Sequence, residues 1–101
     1  MSISLAEFEL AGGLTSKTKL SPTSSGATEY VIPAGKTGVT FQNQGTVRVV
    51  YGSSDVDPEN NKGIILFPNQ AIAYKSVKRT FSIYFKCFSG ESGTLGVNET
   101  D

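Results

Sequence analysis

Apolar and polar residues alternate along three stretches of the chain. In Val39-Thr40-Phe41-Gln42, Val47-Arg48-Val49-Val50-Tyr51 and Phe81-Ser82-Ile83-Tyr84-Phe85-Lys86-Cys87, apolar side chains recur at every second position. That period puts them on one face of a β-strand. The pattern predicts an inward set of Val39, Phe41, Val47, Val49, Tyr51, Phe81, Ile83, Phe85 and Cys87, joined by Leu95 and Val97 further along. Thr40, Gln42, Arg48, Ser82 and Lys86 occupy the alternate positions and are expected on a solvent-facing side, as in antiparallel sheet with one wet face. Residues 64–67, Ile-Ile-Leu-Phe, are apolar without a break until Pro68. Both faces of that run are expected to be covered, one of them by another subunit.

Turn compositions separate these runs: Pro33-Ala34-Gly35, Asn43-Gln44-Gly45, Gly52-Ser53-Ser54, Asp57-Pro58, Pro68-Asn69 and Ser89-Gly90-Glu91-Ser92-Gly93. Short strands at such spacing, with no long run of helical period, predict an all-β chain: a single small antiparallel β-sandwich or jelly-roll-like barrel. The sandwich is expected over residues 28–101, preceded by an N-terminal arm or extended segment over residues 1–27. Within that segment, Ser4-Leu5-Ala6-Glu7-Phe8-Glu9-Leu10 reads as one helical turn or an arm. Residues 15–28, rich in Ser, Thr and Lys, read as extended or mobile.

The length, 101 residues, suits one domain, and ten aromatics (six Phe and four Tyr) offset a hydrophobic content of 38%. A chain of this size buries about two thirds of its unfolded surface, so association with copies of itself would add stability. Nine basic residues balance nine acidic ones, and no net field favours nucleic acid or membrane as a partner. The opening Met1-Ser2-Ile3-Ser4-Leu5-Ala6-Glu7 has neither a basic nor an apolar signal region, and no segment approaches the ~20 apolar residues of a membrane span. Synthesis in the cytoplasm is the simpler expectation.

The chain has no histidine, which removes the commonest general base and metal ligand. Cys87 is the single cysteine, has no histidine to activate it, and alternates with Phe85, so it is expected as a core thiol. The oxygen-rich stretch from Asp55 to Gly63 fails the calcium-loop pattern: counted from Asp55, the sixth and twelfth positions hold Asn60 and Leu66 instead of Gly and Glu. A solvated hairpin or Ω-type loop is expected there. Lys75-Ser76-Val77-Lys78-Arg79 is the densest basic cluster, and Tyr30, Tyr74 and Tyr84 are candidates for stacking or for half-buried strand faces. This inventory points away from an enzyme, and no cofactor or metal is expected.

The order of the pieces carries a resemblance. The segments Asn43-Gln44-Gly45-Thr46-Val47-Arg48-Val49-Val50-Tyr51-Gly52-Ser53-Ser54, Phe67-Pro68-Asn69-Gln70-Ala71-Ile72, Phe81-Ser82-Ile83-Tyr84-Phe85 and Ser89-Gly90-Glu91-Ser92-Gly93-Thr94-Leu95-Gly96-Val97 resemble small β-structured virion proteins of tailed bacteriophages. The resemblance covers Glu29 to Val97, with Asn69 where Gly is usual after the proline, and in size the chain is most similar to capsid decoration (cement) proteins. The resemblance implies a non-enzymatic protein of the phage head, made in the bacterial cytoplasm, that clamps a lattice of major capsid protein, often as a trimer. A phage tail or receptor-binding module, carbohydrate-binding included, is the alternative. The protein interface is expected at Phe8 and Leu10 in the arm, at Ile64 and Leu66, and at Lys75, Lys78 and Arg79.

Overall fold

The alternation in residues 81–87 becomes a central strand because both of its edges find partners. The computed structural model describes residues 16–100. Eight strands follow in chain order: β1 Ser16–Leu20, β2 Thr28–Ile32, β3 Gly38–Asn43, β4 Val49–Gly52, β5 Ile64–Leu66, β6 Ala71–Lys75, β7 Phe81–Cys87 and β8 Leu95–Thr100. The one helical turn among the described residues is a 3-10 turn, Pro58–Asn60.

All pairings are antiparallel, and they make two four-stranded sheets. Sheet 1 has the order β1-β8-β3-β6 and sheet 2 the order β2-β7-β4-β5. Apart from the β4–β5 hairpin, each connection crosses from one sheet to the other. That winding is an eight-stranded jelly roll.

The inward faces meet in a core of Ile32, Val39, Phe41, Val49, Leu66, Val77, Ile83, Phe85, Cys87, Leu95 and Val97. Phe41 from sheet 1 sits at the centre, with ring centroids 5.2 Å from Phe85 and 5.3 Å from Tyr30, both in sheet 2. Val47, Tyr51 and Phe81 pack against this cluster from partly buried positions. Cys87 is fully buried, and its thiol donates to Pro22 O at 3.3 Å.

Turn chemistry fixes the register. The Asn43 side chain accepts from Gly45 N–H at 3.0 Å through Oδ1, and its amide donates to Val47 O and Leu66 O, both at 2.9 Å. One buried amide thus ties the end of β3 in sheet 1 to β5 in sheet 2. In the turn after β5, Asn69 takes φ 71° following Pro68, the left-handed site for which Gly or Asn is suited. The Gln70 carboxamide oxygen closes that turn by accepting from Phe67 N–H at 2.8 Å.

Three expectations need correction. Residues 16–27 are part of the sandwich: β1 pairs with β8 from Ser16↔Glu99 to Leu20↔Leu95, and Pro22 is buried. The strand lacks an apolar alternation because it lies at the edge of its sheet, where Thr18 stays exposed. Of the run 64–67 the chain's own core covers Leu66 alone: Ile64, on the same inner face, stays exposed at the rim, as do Ile65 and Phe67. Thr40, expected on a wet side, is completely buried on the outward face of the central strand β3, between Ala73 and Asn98.

Phe85 carries the largest single test of this core. Replacing it with Ala should cost about 3–5 kcal/mol, a large share of the stability of so small a domain. Urea unfolding at 25 °C checks the value, and a loss under about 1 kcal/mol would contradict the central placement of this ring.

Candidate interaction surface

β5 and β6 are the outermost strands of their two sheets on the same side of the sandwich, and the turn 67–70 joins them. β5 has three residues and pairs with β4 through Val49↔Leu66, Val50↔Ile65 and Tyr51↔Ile64. Leu66 and Ile64 lie on the same face of the strand, but Leu66 sits opposite Val49 in the interior and Ile64 opposite Tyr51 at the rim. Leu66 is therefore 3% exposed and Ile64 61%. This removes Leu66 from the expected interface. Ile65 and Phe67 take its place on the surface, and the unbroken apolar run was the signal that could have found them.

The loop before β5 leaves that rim open. Asp57 and Lys62 exchange backbone hydrogen bonds at 2.9 and 3.0 Å, and the Asp57 carboxylate accepts from Asn60 Nδ2 at 2.7 Å. That hydrogen bond is the leading cause holding the Asp57 carboxyl below its usual range. The loop satisfies its own polar groups, as expected for a self-bonded Ω-type segment. Gly63 then packs so closely on β4 that an added Cβ would lie 2.6 Å from Val50 Cγ1, at a φ of +125°. Among the described residues, no three His, Cys, Asp or Glu side chains come together as a metal site.

Between the two edges lies a cleft of about 570 Å³, lined by Tyr51 and Ile64 from sheet 2, Tyr74 from sheet 1, and Phe81. Tyr74 and Phe81 stack edge to face at 5.3 Å. The same two rings border a second hollow of about 400 Å³ beside Lys75, Lys78 and Arg79. The basic turn is rigidly held: Val77 is buried beneath it, and Ser76 and Val77 N–H donate to Thr37 O and Lys36 O, each at 2.9 Å. Its three cations point to solvent. Ile64 and the cations, 11 residues or more apart in sequence, thus border one continuous apolar-to-basic edge. Phe8 and Leu10 lie outside the described residues.

The other tyrosines are structural. Tyr30 donates to Glu99, which Lys36 Nζ approaches at 3.6 Å, and Tyr84 donates to Glu29 at 3.3 Å. Burial, then the hydrogen bond and the charge of Glu99, push the Tyr30 phenol well above its ordinary range. Burial, with a smaller contribution from Tyr51, raises the Tyr74 phenol as well.

The architecture is a double-stranded β-helix, the jelly roll closed by two interlocking sheets. A solved structure of that class is similar to it: the solution NMR structure of a de novo designed double-stranded beta-helix, at a TM-score of 0.61 and 14% identity, covering 84% of this chain and 99% of that one. At this identity the likeness shows the fold alone. No family model matches the chain, and no curated protein matches it. No helix among the described residues is long and apolar enough to cross a membrane.

A phenol whose folded pKa exceeds its unfolded value binds its proton more tightly in the folded state. Its contribution to stability is full below about pH 10 and is lost as pH rises through the folded value. The urea midpoint should therefore fall as pH rises above about 10, and Tyr74→Phe should make that fall shallower. Equal slopes for the two proteins would show that Tyr74 is not linked to folding.

Proposed function

We propose that this chain is a non-enzymatic structural protein of a phage virion, a capsid decoration protein that stabilises the head by binding between subunits of the capsid lattice. The observation that supports it best is the exposed apolar edge at Ile64, Ile65 and Phe67, on a small domain whose other large apolar side chains are mostly buried. An edge strand with exposed apolar side chains is a ready site for another protein. Fully burying one Ile or Phe contributes about 1.5–3 kcal/mol. One such contact binds weakly, whereas three copies held together on a repeating lattice bind strongly through effective concentration. A trimer is the assembly proposed, with Lys75, Lys78 and Arg79 at the rim, where charges steer approach more than they hold.

A second reading rests on the aromatic lining of the adjoining cleft. Tyr51, Tyr74 and Phe81 would suit stacking on a sugar ring in a tail or receptor-binding module.

Capsids stripped of the protein and reloaded with it distinguish these readings. Ile64→Asp combined with Phe67→Asp should leave the fold intact and weaken capsid binding by tenfold or more, about 1.4 kcal/mol. Both side chains are exposed, so circular dichroism should not change. Undiminished capsid binding by this variant would overturn the assignment of the edge. Binding of oligosaccharide but not of capsids would favour the tail module.

A further inference from the structure

Two hollows adjoin at the β5 and β6 edges, and they differ in charge. The larger, about 570 Å³, takes Tyr51 and Ile64 from β4 and β5, Phe81 and Ile83 from β7, and Tyr74 from β6. Asp55 and Lys62, in the loop before β5, line it as well. The smaller, about 400 Å³, shares Tyr74 and Phe81 with it and adds Lys75, Lys78 and Arg79. The two shared rings, edge to face at 5.3 Å, are therefore a wall common to both.

Both hollows hold polar groups that the fold itself does not use. Tyr30 and Tyr84 donate to Glu99 and Glu29, whereas the half-buried Tyr51 and Tyr74 hydroxyls make no hydrogen bond among the described residues. Among those residues the Asp55 carboxylate has no ion-pair partner either, nor do the cations of Lys75, Lys78 and Arg79. A half-buried phenol gains free energy when a ligand oxygen meets it. Aromatic and aliphatic walls with a few such polar groups fit a sugar ring, apolar on its faces and polar around its edge. The larger volume also lies within the range of small-molecule sites, about 300–1,000 Å³. Charge then sets the direction of the ligand. Asp55 accepts from hydroxyls but repels a carboxylate, and the three cations attract one.

We propose that the two hollows are one site for an acidic oligosaccharide. A neutral ring lies in the larger hollow against Tyr51, Tyr74 and Phe81, and a carboxylate lies in the smaller one at Lys75, Lys78 and Arg79. The assignment rests on the second functional reading, sugar binding, and adds to it the charge and the orientation of the ligand. An acidic peptide suits the cations equally well, but it brings no ring of hydroxyls to the two phenols and to Asp55.

Magnetic resonance titration of the full, labelled chain tests the proposal. The probes are oligosaccharides of galacturonic, glucuronic and sialic acid, each paired with its neutral methyl ester. At least one acid should shift the ring signals of Tyr51, Tyr74 and Phe81 and bind about tenfold or more tighter than its ester at low salt. Salt at about 1 M should remove most of that advantage. Lys78→Gln combined with Arg79→Gln should bring the acid down to the affinity of its ester and leave the ester unchanged. Both side chains are exposed, so the fold should persist. Equal affinities for acid and ester overturn the charge assignment while sugar binding stands. No ring shifts with any acid or ester overturn both. An acid that keeps its affinity in the double variant overturns the placement of the carboxylate. Ring shifts of the same size with a tetraglutamate peptide overturn the saccharide in favour of an acidic peptide.

Discussion

The contact between Phe41 and Phe85 holds the two sheets together, and most of the architecture is arranged around it. Each ring comes from a strand paired on both sides, β3 between β8 and β6 and β7 between β2 and β4. The rings meet where neither sheet can shift without exposing one of them. Tyr30 and Tyr74 pack edge-on to Phe41, Tyr51 leans on Phe85, and Phe81 extends the chain of rings to the open rim. Such pairs add about 0.5–1.5 kcal/mol beyond the area they bury. The aromatic seam thus lets a domain with a modest hydrophobic content keep a single packed core.

The seam also explains how much of the fold was legible. β3 and β7 lie at the centre of their sheets, so their inner faces meet apolar core neighbours and the period of two is preserved, whereas β8, also central, keeps it only at Leu95 and Val97 before Glu99. β1 and β2 are edge strands, where one inward position can stay half wet: Thr18 and Thr28 sit where a central strand would carry Val or Ile. Their alternation is diluted, and the Ser/Thr-rich stretch reads as an arm. Thr40 misled in the opposite sense. Polarity normally reports solvent, but Thr40 is buried on the outward face of a central strand.

The interaction edge was legible in parts and not as a whole. Residues 64–67 and 75–79 each stood out from composition. The sequence does not carry the distance between them, because that depends on β5 and β6 ending up as neighbouring edges of different sheets. Strand length decides the rest. With three residues in β5, one step of two carries the chain from the interior at Leu66 to the rim at Ile64, so equivalent positions in the alternation differ completely in exposure.

The two sheets therefore divide the work of the surface unequally. Sheet 1 presents outward a row of small residues, Gly38, Thr40, Ala73 and Gly96. Sheet 2 ends in a short apolar strand that its own hairpin leaves exposed, with Gly63 packed close on Val50, Tyr51 O and Val56 and the loop before it bonded to itself. A longer side chain at position 63 would clash with Val50 and with Tyr51 O, so the loop cannot be remodelled cheaply to close the gap. The exposure of Ile64 and Phe67 is thus built into the backbone. A core that is already complete derives no benefit from that exposure, and this is the observation on which the proposed docking of a second protein rests.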